Sequence, residues 1–246
     1  VVQGYPLVVA QSDEPERRHG VALSRPMFYW QNHRLKREQL LAYCMDELGA
    51  TKREAREAIR QADSARDSML RQLRDEAARV LASLEGTNDF AVLLAGRPYH
   101  SDELVNHHLA SYFTRLGIPV ITLNALPELS REDLGPVRME TTIPFHARMM
   151  SAALFAARHP NLELVQVVSF GCGHDAIISD EMVRLLHEAS DKELLVLKLD
   201  EGELQGPLSI RVKSFVETVR QRRRRFGGPE AKPESVREGF PAKFPR

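Results

Sequence analysis

Phe90-Ala91-Val92-Leu93-Leu94-Ala95, followed at once by Gly96-Arg97-Pro98-Tyr99-His100, sets the reading of this chain. Six consecutive apolar residues stopped by a glycine and a proline suit a strand buried on both faces. Three more runs, near-continuously apolar, follow at residues 118–123, 162–169 and 194–199. Helical periodicity fills the spaces between them, over 102–116 up to Gly117, over 144–158 and over 175–189, and a basic helix over 209–225 closes the series. Residues 124–138, with Pro127 and Pro136, read as loop. Strands alternating with helices predict an α/β fold: a four-stranded parallel sheet with helices on both faces, flavodoxin- or Rossmann-like.

Upstream of the sheet the pattern changes. Leu35, Leu40, Leu41, Cys44, Met45 and Leu48 recur at helical spacing over 34–48, and Gly49 stops the run. Thr51-Lys52-Arg53-Glu54 has the form of a capping box, in which a hydroxyl and a returning carboxylate satisfy free helical amides. It opens a second helix over 52–84, alanine-rich and free of Gly and Pro. The short link predicts a long antiparallel helical hairpin. Four segments result: an irregular N-terminal arm (1–30) with extended pieces at 7–10 and 21–23, the hairpin (31–87), the α/β domain (88–226) and a loose tail (227–246). The chain opens on Val1 and not on Met, which we read as a processed form or an excised fragment.

Composition narrows the function classes. The 246 residues carry 34 Lys+Arg against 34 Asp+Glu, a net charge of zero, which argues against a polyanion binder. The longest nearly apolar run, 149–157, falls far short of the roughly 20 residues that span a bilayer. We therefore expect no nucleic-acid and no membrane partner, and a cytoplasmic location. The two cysteines, Cys44 and Cys172, cannot supply four thiolates, so any four-cysteine metal or iron–sulfur site needs ligands from elsewhere. No Gly-Lys-Ser/Thr loop and no G-x-G-x-x-G fingerprint supports a nucleotide site.

In an open parallel sheet, ligands bind beyond the carboxyl ends of the strands. Two of the four segments selected by that rule are chemically loaded. Gly96–His100 offers a glycine for close approach, Arg97 for an anion or carboxylate, and the polar tips of Tyr99 and His100. Its bland reading is a shaped turn in which Arg97 pairs with an acidic neighbour. In Ser169-Phe170-Gly171-Cys172-Gly173-His174-Asp175, two glycines uncover a thiol just before a helix N-terminus, where thiolate is favoured. Cys172 could bind metal or act as a nucleophile with His174, or simply fill space; Cys44, on an apolar helical stripe, reads as structural. His107 and His108, adjacent on a helix, point apart, and no pair among His33, His146, His159 and His187 has zinc spacing. Arg222–Arg225 reads as a solvated helix end.

Taken in order, Gly4-Tyr5-Pro6, Gly96-Arg97-Pro98-Tyr99-His100, Asn106, Ser169-Phe170-Gly171-Cys172-Gly173 and Leu199-Asp200-Glu201 resemble one family. It is the dehydratase-component-like region of the large CoA-substrate-specific enzyme activases, relatives of the 2-hydroxyglutaryl-CoA dehydratase system and of the double-cubane-cluster proteins. The resemblance runs from about Gly4 to Phe215. It implies cysteine-ligated [4Fe–4S] chemistry with low-potential electrons supplied by an ATP-binding activase portion of a longer polypeptide, and an acyl-CoA substrate. Cys172 would then be a cluster ligand, with Ser169, Gly171 and Gly173 around it. Arg97, Tyr99 and His100 would be polar groups on the substrate or cluster side. Gly4-Tyr5-Pro6 would follow a Cys-Pro pair that this chain does not include, so the isolated chain is expected to lack a complete cluster and to be inactive. Departures are His174 for the usual proline, Gly202 for a histidine and Lys213 for a glutamate, with Arg211 and Phe215 kept. The alternative is a non-catalytic binding or assembly domain with an anion or acyl-CoA site at the strand ends.

Overall fold

A computed structural model describes residues 4–30, 32–140, 143–169, 173–199 and 205–226. The chain divides into two compact units, residues 1–69 and 70–246. The first holds α1 (Tyr5–Ser12), α2 (Pro15–His19), α3 (His33–Asp46) and the start of α4 (Lys52–Leu84). Helix α1 corrects the extended piece expected at 7–10. Pro6 stands in its first turn, where the missing amide would be unpaired anyway. Residues 4–30 are thus partly helical, not wholly irregular. Asn32 caps α3 by accepting from the Leu35 amide at 3.0 Å, and Gly49 takes the left-handed turn (φ +67°) that follows it. The capping box is present: Glu54 Oε2 accepts from the Thr51 amide at 2.9 Å, and the Glu54 amide donates to Thr51 Oγ1 at 3.3 Å. Lys36 Nζ lies 3.3 Å from Asp63 Oδ1.

The second unit contains the sheet. Strands β1 (Ala91–Ala95), β2 (Val120–Thr122), β3 (Leu162–Ser169) and β4 (Leu195–Leu199) run parallel in the order β2-β1-β3-β4. Helices α5 (Leu109–Thr114), α6 (Pro144–Arg158), α7 (Gly173–Ala189) and α8 (Gln205–Phe226) supply the cover. Alternation along each strand splits the core in two. Ala91, Leu93, Leu162 and Leu164 pack with α6, α7 and the end of α4, whereas Val92, Leu94, Val165, Val167 and Leu197 pack with α5 and α8. Both central strands are wholly buried, as a doubly covered sheet requires. No helix among the described residues is long and apolar enough to cross a membrane.

Two expectations fail here. The helix expected over 102–116 shrinks to α5, preceded by a 3-10 turn (Pro98–Ser101) and by left-handed His107 and His108 (φ 54° each). Asn106 is the reason. Its side chain accepts from the Leu109 amide (3.1 Å) and donates to the His100 carbonyl (2.9 Å), offering the backbone an alternative to continuous helix. His107 and His108 are therefore turn residues and not helical neighbours. The basic end of α8 is not solvated as a whole either. Arg222 and Arg223 converge on Glu163 of β3, at 2.7 and 3.0 Å, and Glu163 and Arg223 are fully buried. Burial of the carboxylate on the central strand leaves arginines as its compensation. Lys192 completes this end of the sheet by donating to the carbonyls of Ala156, His159 and Leu162, which joins the end of α6 to the start of β3. Residues 227–246, expected as a loose tail, lie outside the described residues.

Candidate functional site at the carboxyl ends of the central strands

β1 continues toward α5 on one face of the sheet, and β3 continues into α7 on the other. Adjacent strands whose connections diverge in this way open a crevice at their carboxyl ends. The polar groups picked out by sequence at 97–100 and at Ser169 meet there.

Arg97 leaves β1 and donates to Asp175 Oδ1 from Nε at 3.1 Å and from Nη2 at 2.7 Å. Asp175 stands in the first turn of α7, where the helix dipole favours a carboxylate, and its Oδ2 accepts from the Ser169 amide at 3.4 Å. Both side chains are largely buried. One carboxylate thus ties together the turn after β1, the last residue of β3 and the start of α7. The bland reading of Arg97, an arginine paired with an acid, is what its geometry shows on this side.

His100 is buried beneath that turn. Its Nδ1 accepts from the Arg97 amide at 3.1 Å, and its Nε2 lies 2.6 Å from Ser169 Oγ. A backbone amide can only donate, so Nδ1 is bare and the proton sits on Nε2, donated to Ser169. Burial pushes the imidazole down to about 4, the pull of Asp175 being opposed by Arg97. His100 is therefore neutral at pH 7. The direction of the bond matters: a histidine that donates to Ser169 cannot remove its proton, so this pair is not a serine nucleophile with its base. Tyr99, exposed at the rim, accepts from Arg97 Nη1 at 3.3 Å and lies 3.4 Å from Ser169 Oγ. Gly96 is needed for His100 itself, since a Cβ there would come within 2.8 Å of Nδ1.

The second segment is described only at its flanks. Gly171 and Cys172 lie outside the described residues, as does Asp200-Glu201. Gly173 opens α7 in ordinary helical backbone, and a Cβ on it would meet nothing among the described residues within 4 Å. Unusual backbone angles are thus not required at Gly173. Cys44 is half-buried on α3.

The fold also assembles what spacing did not reveal. His146 of α6 brings its ring to 6.1 Å from that of His174 in α7. His146 is 5% exposed and its Nε2 has no hydrogen-bond partner among the described residues. Burial, followed by the neighbouring Arg97 and His174 charges, lowers its pKa. No sequence interval links these histidines; only the packing of α6 beside α7 does. Arg148, one helical step from Phe145 on α6, was likewise missed. It reaches Asn124 Oδ1 (2.9 Å) and the Leu123 carbonyl (2.6 Å) beyond β2.

Searches among curated proteins and among solved structures find no match. A family model described as the CoA enzyme activase uncharacterised domain matches residues 1–126. That stretch is just over half of the chain and includes the first unit, β1, the Gly96–His100 turn and β2. The match bears out the resemblance read from the motifs at the level of the family: the chain belongs to the family of the CoA enzyme activase uncharacterised domain.

Proposed function

We propose that the chain is a dehydratase-like part of an ATP-dependent, CoA-substrate-specific activase system, and that it lends Cys172 as one thiolate ligand to a [4Fe–4S] cluster used for low-potential electron transfer. The observation that carries this reading is the position of the Ser169–Gly173 segment. It joins β3 to α7 beside the place where the central strands' connections diverge, and its flanks are pinned by the Arg97–Asp175 pair and the His100–Ser169 bond. Family membership supports the activase setting. A whole cluster does not fit the donors present. Among the described residues no group of three or more His, Cys, Asp or Glu could hold a metal ion, and the chain has two cysteines, one of them on α3. The remaining ligands are therefore assigned to another segment or polypeptide, and no reaction step is derived through the cluster. The partners that go with this reading are an ATP-binding activase portion and an acyl-CoA substrate, in the cytoplasm.

The test is anaerobic reconstitution with iron and sulfide of the polypeptide that carries this chain, read by iron content and by the electron paramagnetic resonance of the reduced cluster. Cys172→Ser should change both, and Cys44→Ser should change neither. Identical spectra and iron content for Cys172→Ser would remove the ligand role.

A further inference from the structure

Beside the crevice, at the carboxyl ends of β1 and β2, lies a small cavity of about 40 Å3. Its polar lining comes from Arg97 and Ser101 after β1, Thr122 and Asn124 at the end of β2, and Arg148 on α6, together with His100. Among the described residues, no aspartate or glutamate lines it. A water needs about 10–15 Å3 measured this way, so the space suits two or three waters or one small oxyanion.

Its electrostatics are one-sided. Arg97 is balanced by Asp175, but among the described residues no acid balances Arg148. Arg148 makes two hydrogen bonds, both to neutral oxygens, out of the five donors a guanidinium offers. Burial, and after it the charge of another cation, Arg74, lowers its pKa. Among the described residues no carboxylate forms an ion pair with Arg148 or Arg74. The planar fork of a guanidinium suits bidentate binding of a carboxylate or an oxyanion. Phe145 and Arg148 also place the cavity against the first turns of α6, the end of a helix that carries partial positive charge.

From this arrangement we infer that the cavity is an anion site, taking a phosphate-class oxyanion on the guanidinium of Arg148, with Ser101 and Asn124 beside it and Arg97 at its edge. It rests on neither Cys172 nor iron, and it stands or falls separately from the cluster reading.

Inorganic phosphate is the probe. Thermal unfolding of the full chain is followed against phosphate concentration, with sodium chloride at matched ionic strength as reference, because a ligand that binds only the folded state raises its midpoint by mass action. The native chain and Cys172→Ser should both be stabilised by phosphate beyond chloride, and Arg148→Gln should bind at least tenfold more weakly. Equal shifts with phosphate and chloride, or native affinity in Arg148→Gln, would overturn the site. If Arg148→Gln does not fold, the guanidinium nitrogen signal of Arg148, assigned with Arg148→Lys, is followed in the native chain. Saturable movement with phosphate supports the site, and a signal that phosphate leaves in place refutes it.

Discussion

A methyl group at position 96 would press on the His100 imidazole from 2.8 Å, and one at position 173 would touch none of the described residues. These two glycines, equally prominent in the sequence, therefore respond oppositely to the same change. Gly96→Ala should destabilise the fold by about 1–3 kcal/mol through overpacking. Gly173→Ala, on helical backbone, should be neutral or stabilising by up to about 1 kcal/mol. Urea midpoints of the two variants decide it, and equal shifts in one direction would contradict the account. His100 carries a second prediction. Its folded pKa of about 4 lies below an unfolded value of about 6.5, so between these limits the unfolded chain binds the extra proton. Stability must fall as pH drops from 6.5 through 4, by at most about 3 kcal/mol from this group. His146 and His159, also lowered by burial, act with the same sign. Urea unfolding at pH 7 and at pH 4.5 measures the loss, which His100→Gln should reduce. Nitrogen NMR should find the His100 proton on Nε2; finding it on Nδ1 would overturn the bond direction assigned to the His100–Ser169 pair.

Ion pairs differ in weight according to the elements they join. Glu163 sits buried at the start of the central strand β3 with two arginines from the last turns of α8, whereas Glu188 of α7 meets Arg138 and Arg184 near the surface. Removing the buried partner strands charge without water, so Glu163→Ala should cost about 3–5 kcal/mol. Glu188→Ala should cost under about 1 kcal/mol. Denaturation of both variants tests the contrast, and comparable losses would mean that the α8 anchor is not electrostatic. At this scale much was legible in advance. The Thr51–Glu54 box marked the start of α4, and the near-continuous apolar runs marked all four strands within a residue or two. What escaped were elements decided by side chains far along the chain. Asn106 breaks a periodic helix by holding the His100 carbonyl, and a carboxylate on β3 draws the α8 arginines inward. Periodicity registers neither. The same holds for the site: residues 97–100 were found because they follow a strand end, but Arg148 and His146 enter from a helix whose own pattern looks like plain core.

Across the whole molecule, burial is distributed unevenly between the two units. Of the described residues in the first unit, Lys36, Ala55 and Ile59 alone are buried, while both hydrophobic clusters belong to the second. Little apolar area is withdrawn from water in residues 4–69, so that unit should open at lower denaturant. Trp30, the single tryptophan, reports on it. Guanidinium titration should therefore show the Trp30 fluorescence change before loss of the far-ultraviolet signal of the remainder. Coincident transitions would show that the units unfold together. The sheet itself has a different exposure, at its margins. An open parallel sheet ends in two strands whose outer amides and carbonyls can recruit a foreign strand. Here one margin is β2, three residues long, and the other is β4, which carries Lys198 next to its last residue with an exposed side chain. A strand that short offers too few pairing sites, and a lysine must be desolvated before another chain can dock. The margins are thus ill suited to edge-to-edge aggregation, and the central pair β1–β3 is shielded from that fate during refolding once β2 and β4 have paired.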